Sequence, residues 1–278
     1  MWQAEASVSA QNSFLVISIA VSSQKGGVGK TTLSINLAHS FARAGLKTLL
    51  VDADPQGSVG LSLTRQSRSL AGFYDYLADP RMSLERLIVP TRLETFSLIA
   101  SGQGSDYEAG GGSMGAHLAR VREFLRRVAA GGFDLCLIDT AAGLFGVTGD
   151  VITSSDAVLI PQQAEPLGIR SVPKLLEGLN RLRIMNPRLS ILGVCLTMVQ
   201  NDLSESIEAA TALRQLLPPE MVFQTQIPRD GLFVRASARG LPVGVLEDGA
   251  GAQTVFDSLR TEVEAKLAPN NSFYTRGL

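Results

Sequence analysis

Lys25-Gly26-Gly27-Val28-Gly29-Lys30-Thr31-Thr32 follows directly on the apolar run Phe14–Val21, and this junction decides the fold. A strict G-x-x-x-x-G-K-[ST] phosphate loop has glycine at the position that Gln24 holds here, and a second lysine, Lys25, precedes the double glycine. Gly26, Gly27 and Gly29 let the backbone turn its N–H groups onto phosphate oxygens. Val28 fills the loop between them, and Thr32 opens the helix behind it. A helix beginning near Gly29 adds the positive end of its dipole. Lys30 is placed for β and γ phosphates, and the Thr31 hydroxyl suits a magnesium ion. Two lysines on one loop mean either more anion than one lysine neutralises or a lysine aimed at a second nucleotide.

Working outward, apolar runs alternate with helical patterns. Strands are expected at Phe14–Ser22, Thr48–Asp52, Phe96–Ala100, Leu135–Asp139, Ala157–Pro161, Leu189–Met198 and Val222–Ile227. Helices are expected at Thr32–Ala44, Leu70–Leu77, Ser83–Leu87, Ala116–Ala129, Gly168–Arg183, Leu203–Leu217 and Gln253–Leu267. A glycine-rich loop spans Gly102 to Gly115, with Gly110-Gly111-Gly112 at its centre. Continuous apolar strands between helices predict an α/β fold: one phosphate-loop NTPase domain over residues 14–267, its mostly parallel central sheet covered by helices on both faces. Residues 1–13 and 268–278 read as flexible tails, with Trp2 in the first a possible docking anchor. No internal repeat or domain linker interrupts the pattern.

Composition narrows the function. A net charge of −1 means that any nucleic-acid binding comes from a local patch. The two cysteines, Cys136 and Cys195, lie in apolar runs with no C-x-x-C pair, which disfavours a bridging iron–sulfur cluster. No stretch approaches the roughly 20 apolar residues of a membrane span. The polar start, Met1 to Ser13, lacks the basic region of a secretory signal.

Two acidic clusters end strands: Val51-Asp52-Ala53-Asp54-Pro55-Gln56-Gly57-Ser58 and Leu137-Ile138-Asp139-Thr140. A magnesium–nucleotide site needs carboxylates for the ion's water shell and for the attacking water. Asp139 follows an apolar strand as a metal-holding acid does. Asp54 lies in a loop flanked by proline and glycine, and Asp52 is expected to orient that loop or the metal's waters. In a parallel sheet, ligands gather at the carboxyl ends of the strands, where the loop and these acids belong.

The stretches QKGGVGKTT (24–32), VDADPQGS (51–58), FDLCLIDT (133–140), SSDAVLIPQQAEPLGIRSV (154–172) and IPRDGLFVRASARGLPV (227–243) together resemble a ParA/MinD-type ATPase, nearer ParA/Soj than MinD. The resemblance covers about Phe14 to Leu267. It implies ATP and Mg²⁺ as cofactors and an ATP-dependent homodimer in which Lys25 crosses the interface to the partner's nucleotide. It further implies that Lys30 and Thr31 hold phosphate and metal, that Asp54 orients or activates the attacking water and belongs to the metal site with Thr31 and Asp139, and that Asp139 holds the metal through water. Adenine would lie at the end of Leu189–Met198, edged by Gln200 or Asn201 and by Pro228. The family has prolines after the second acid motif; here the run is Asp139-Thr140-Ala141-Ala142-Gly143. Turnover is therefore expected to be slow or differently coupled.

Members of the family hydrolyse ATP weakly alone and bind DNA without sequence preference as the ATP dimer. A ParB-like or cargo-adaptor partner stimulates hydrolysis. The resemblance thus implies a cytoplasmic, nucleoid-associated protein that segregates a plasmid or chromosome, or positions a protein cargo such as carboxysomes or chemotaxis clusters. DNA contacts would come from Arg181, Arg183, Arg188, Arg214, Arg235, Arg239, Arg260 and Lys266. A MinD-like membrane-associated regulator is the rival reading. It needs an amphipathic, lysine-rich C-terminal helix, and the stretch Ala268 to Leu278 contains Pro269, Asn270, Asn271 and Gly277 instead.

Overall fold

Three apolar runs become strands with no exposed face: β1 (Ile17–Val21), β2 (Thr48–Ala53) and β5 (Leu135–Thr140) are buried along their whole lengths. Only a strand covered on both sides can be apolar throughout, and these three are central in the sheet. The computed structural model describes residues 16–63, 69–103 and 113–268. With β3 (Ile88–Pro90), β4 (Phe96–Ile99), β6 (Ala157–Gln163) and β7 (Ser190–Thr197), they form a seven-stranded sheet in the order β3-β4-β2-β5-β1-β6-β7. Every pairing is parallel except β3 with β4. The expected α/β architecture is the one observed. The β1–β5 register sets Val21 beside Asp139, and the β2–β5 register sets Asp52 beside Asp139, so loop and acids share the carboxyl edge.

Helices cover both faces. The helices α1 (Lys30–Arg43), α8 (Gly231–Arg239) and α9 (Ala250–Leu267) supply Leu33, Leu37, Phe41, Ala236, Phe256 and Leu259 to one apolar core. Packed on the opposite face are α3 (Phe73–Ala78), α4 (Leu118–Ala130), α5 (Gly146–Ser154), α6 (Pro166–Met185) and α7 (Ser204–Leu216). The short α2 (Ser58–Leu63) follows β2 at the carboxyl edge. Cys136 and Cys195 are buried and unpaired, with burial pushing both thiols well up. No described helix is long and apolar enough to cross a membrane.

The structure corrects several expectations. Val222–Ile227 is no continuous strand: it meets the sheet at isolated bridges, Val194 with Val222 and Val199 with the adjoining Pro228, and through the Ile227 N–H, which donates to the Leu196 carbonyl at 2.9 Å. Its ladder is interrupted because the Gln224 and Thr225 N–H groups donate to the Glu262 carboxylate on α9, at 2.8 and 2.7 Å. The antiparallel β3 was not foreseen; its Pro90, which cannot donate to a ladder, suits a sheet edge. Nor was α5, whose glycines and threonines are poor helix formers; almost complete burial against its neighbours decides it. The Ser83–Leu87 helix shrinks to a 3₁₀ turn over Leu84–Arg86. Phe14 of the first strand, Trp2 and the tail 1–13, the triple glycine at 110–112 and residues 269–278 of the second tail lie outside the described residues.

Candidate nucleotide site

The loop after β1 turns through two left-handed glycines, Gly27 at φ 76° and Gly29 at φ 85°. Neither value suits a residue with a Cβ, so the pattern of glycines is required by the turn. Gly29 is the N-cap of α1 and accepts from Leu33 N–H at 2.9 Å, leaving the first helical N–H groups free to face an anion. The loop is anchored from two sides. Thr197 Oγ1 at the end of β7 donates to the Val28 carbonyl at 2.7 Å, and Ser23 Oγ donates to the Lys25 carbonyl at 2.8 Å. Met198, next after β7, holds φ 53°, and its terminal methyl lies 3.6 Å from where a Cβ on Gly29 would be. A left-handed methionine is a strained residue kept in place by its surroundings.

The two lysines differ. Lys30 is buried, with 8% of its surface exposed. Lys25 is on the surface, and its one ion pair among the described residues is a long one: Nζ to Glu165 Oε2 at 3.9 Å, with both side chains 47% exposed. Glu165 in turn accepts from Gln163 Nε2 at 2.6 Å.

Beneath the loop is a fully buried carboxylate. Asp139 Oδ2 accepts from Thr31 Oγ1 at 2.7 Å, and Oδ1 accepts from Ser34 Oγ at 3.0 Å. Burial pushes Asp139 up to about 6, against the opposing pull of the Thr31 and Ser34 hydroxyls and the Lys30 charge. Thr31 and Ser34 are three apart on α1, which puts both hydroxyls on the face turned to β5. Nothing in the motif around Lys30 marks Ser34; the signal is that helical spacing. A hydroxyl beside a carboxylate is a hard-oxygen donor set of the kind Mg²⁺ takes, so the residues present fit that ion.

Asp52 plays a different part. Its Oδ2 accepts from Val59 N–H at 3.0 Å and Gly60 N–H at 3.2 Å, and its Oδ1 accepts from Asp54 N–H at 3.2 Å. It holds the loop 53–60 and the start of α2. Burial, then the charge of Asp139, raises it well above the usual carboxylate range. Asp54 is half-buried, and its Oδ1 accepts from Gln56 N–H at 2.9 Å. After Asp139, Thr140 Oγ1 donates to the Val21 carbonyl at 3.0 Å, and Gly143 N–H donates to the Ser23 carbonyl at 2.9 Å. In place of the prolines that the family resemblance has at this point, these bonds tie the loop to the end of β1 and the residues just after it.

At the far side of the edge, Val199 bridges Pro228, which brings Gln200 and Asn201 beside Pro228. The eight basic residues do not converge. Arg181, Arg183, Arg188 and Arg214 belong to one face of the sheet, and Arg235, Arg239, Arg260 and Lys266 to the other. Arg181 pairs with Glu177 at 2.5 Å, Arg235 with Asp248 at 2.5 Å and Arg260 with Glu264 at 2.7 Å. Lys266 donates to the Glu220 carbonyl over the Phe223 ring, and Arg214 lies 2.9 Å from the Gln226 amide. Among the described residues Arg183, Arg188 and Arg239 form no ion pair.

A family model described as "AAA domain" matches residues 16–191. The chromosome partitioning protein ParA of Caulobacter vibrioides is 34% identical over 250 residues, 88% of this chain and 92% of that protein. This chain belongs to the ParA/MinD family. The chromosome-partitioning ATPase Soj of Thermus thermophilus is likewise 34% identical, over 90% of this chain and 96% of its own length. Among solved structures, the ATP complex of an aspartate-to-alanine variant of Cyanothece McdA superposes at TM-score 0.73 and 22% identity, covering 91% of this chain and 96% of that one. Cobyrinic acid a,c-diamide synthase from Mycobacterium smegmatis, with bound ATP analogue and magnesium, gives 0.67 at 26% identity over 81% and 93%. The ParA/MinD chain described here thus carries the fold and phosphate loop of a family of P-loop ATPases.

Proposed function

We propose that this ParA/MinD-family chain is an ATP-operated switch: it dimerises around ATP and Mg²⁺, holds DNA without sequence preference in that state, and lets go after hydrolysis. The observation that carries the reading is the contrast between the two lysines. Lys30 is buried against its own site, whereas Lys25 projects from the same loop with only a loose partner at 3.9 Å. An ammonium this close to a phosphate site and this little engaged is available to a nucleotide held by a second copy.

In this reading Gly26, Gly27, Val28, Gly29 and Thr32 cradle phosphates with Lys30. Thr31 and Asp139 hold the metal, directly and through water, and Mg²⁺ supplies charge neutralisation when bound. Asp54 orients the attacking water, while Asp52 fixes the loop that carries Asp54. Gln200, Asn201 and Pro228 edge the adenine. Asp54 is the only one of the three acids in the half-exposed loop, which supports its role next to a water. The hydrogen bonds from Thr140 and Gly143 to β1 give hydrolysis a route to the loop that must release the partner.

Of the eight candidates, DNA would engage Arg183 and Arg188, or Arg239 on the other face, before the five that already have partners within the chain. The work of such a cycle is to segregate or position a cargo over the nucleoid, with a ParB-like or adaptor protein accelerating hydrolysis. ParA and Soj relatives at 34% identity over most of their length support partition as that work. The test is co-sedimentation with non-specific DNA. With ATP and Mg²⁺, Asp54→Ala is expected to stay on DNA while the wild-type protein is released as ATP is consumed. Absence of nucleotide-dependent retention in both proteins would reject the switch.

A further inference from the structure

The peptide that joins Ala53 to Asp54 is held at both of its ends by groups outside the loop. Its N–H, which belongs to Asp54, donates to Asp52 Oδ1 at 3.2 Å. Its carbonyl, which belongs to Ala53, accepts from the Tyr74 hydroxyl at 2.8 Å in a buried bond. A peptide unit is planar, so two bonds at opposite ends fix its rotation about the chain. The Asp54 Cα lies in that plane, so the plane fixes where the side chain starts, and the Gln56 N–H, donating to Asp54 Oδ1 at 2.9 Å, holds the carboxylate that projects from it.

On the β4 side nothing in the sheet does this job in place of Tyr74, while on the other side Ala53 is still paired with Thr140 of β5. The pairing of β2 with β4 ends at Val51 and Ile99, two residues before Ala53. The Ala53 carbonyl lies beyond the end of that ladder, and the tyrosine reaches it from α3. The platform under the tyrosine is itself rigid. Phe73 N–H donates to the Ala100 carbonyl at 2.8 Å, and Tyr74 N–H to the Ser101 carbonyl at 2.9 Å. Gly72 lies so close to the Ala100 backbone that a Cβ there would be 2.1 Å from the Ala100 carbonyl oxygen. Tyr74 is buried, with 3% of its surface exposed, and its ring meets Phe73 edge-on at 5.6 Å between centroids.

We infer that Tyr74 is a positioning residue for ATP hydrolysis: through the Ala53 carbonyl it sets the peptide that aims the Asp54 carboxylate. The inference rests on the assignment of Asp54 to the attacking water. It extends that assignment to a residue 20 positions downstream, on a different element. Loss of the hydroxyl leaves the phosphate loop, Thr31 and Asp139 untouched, so the effect falls on kcat and spares nucleotide affinity. A small misdirection of a reacting group is enough to slow turnover about tenfold.

The experiment measures steady-state ATP hydrolysis and fluorescent-ATP affinity for wild type, Tyr74→Phe, Asp54→Ala and the double variant, with melting temperatures alongside. Tyr74→Phe is expected to lower kcat about tenfold with ATP affinity within about twofold of wild type. In the Asp54→Ala background the same change is expected to add no further loss, because it acts through Asp54. Wild-type kcat in Tyr74→Phe, or an equal fractional loss in both backgrounds, overturns the positioning role while leaving the switch intact. Wild-type turnover in Asp54→Ala overturns the assignment of Asp54 itself, and the inference with it. A lowered melting temperature with unchanged kcat, measured well below it, marks the hydroxyl as structural only and also overturns the inference.

Discussion

Thr31 donates its hydroxyl hydrogen to one oxygen of Asp139, and Ser34 shares its own between the other Asp139 oxygen at 3.0 Å and the Lys30 carbonyl at 2.9 Å, so a fully buried carboxylate meets two hydroxyls from a single helix face. Removing the Ser34 hydroxyl leaves Oδ1 with one bond fewer and a freer carboxylate. Ser34→Ala is therefore expected to raise the magnesium concentration for half-maximal ATP hydrolysis several-fold, in a metal titration at fixed ATP. Lys30 acts more bluntly. A charge-assisted bond to phosphate contributes roughly 1.5–3 kcal/mol, so Lys30→Ala is expected to weaken ATP binding about 10- to 100-fold, read by fluorescent-ATP titration. Retained tight binding would reject the loop assignment. The glycines, Lys30, Thr31 and the strand-end acids are legible in sequence because one local turn and one strand end define them. Ser34, Thr197, Glu165 and Tyr74 are not, because each earns its place only when a distant element is packed beside it. Sequence leaves Asp52 two tasks, orienting the loop or the metal's waters; its three N–H donors are all on the loop side.

Between elements, polar seams do what apolar cores alone do not: they set how helices meet. Along the α1–α9 contact, His39 Nδ1 lies 3.2 Å from Gln253 Oε1, and Gln253 Nε2 and Ser40 Oγ both donate to Asp257 Oδ1, at 2.7 and 2.6 Å. Burial, first, lowers the His39 imidazole; the Gln253 bond opposes it, Arg43 adds to it and Asp257 opposes it. A depressed folded value means that the unfolded chain takes the proton more readily. The stability that His39 contributes is therefore complete above about pH 6.5 and is lost as pH falls through the lower folded value. Between pH 6.5 and 5, His39→Gln is expected to lose less melting temperature than wild type. A second seam explains the missing strand. Glu262 on α9 takes the Gln224 and Thr225 N–H groups and the Thr225 hydroxyl, the last at 2.5 Å, so Glu262→Ala is expected to cost roughly 1 kcal/mol by urea unfolding. Periodicity could show apolar spacing at Val222–Ile227 but not that a helix would claim the backbone N–H groups. It missed α5 for the converse reason: burial from all sides overrides weak propensity.

At the scale of the molecule, the parallel sheet brings the phosphate loop, three acids and two edge segments to a single rim, and that rim carries an exposed lysine beside a buried one. The alternation of apolar runs and helices predicts a mostly parallel sheet covered on both faces, while the order of the strands within it is a property of the packed molecule. The basic residues show what sequence leaves open: eight positions chosen for charge alone divide between the two faces, and most already have partners. Whether two copies close on nucleotide depends on where the Lys25 amine goes when a second triphosphate is offered. The most direct measurement is molar mass by light scattering with ATP and Mg²⁺, for the Asp54→Ala protein with and without Lys25→Ala. The account predicts a dimer with Lys25 present and a monomer that still binds ATP without it. A dimer of undiminished stability in the absence of Lys25, or a monomer in both, would contradict it.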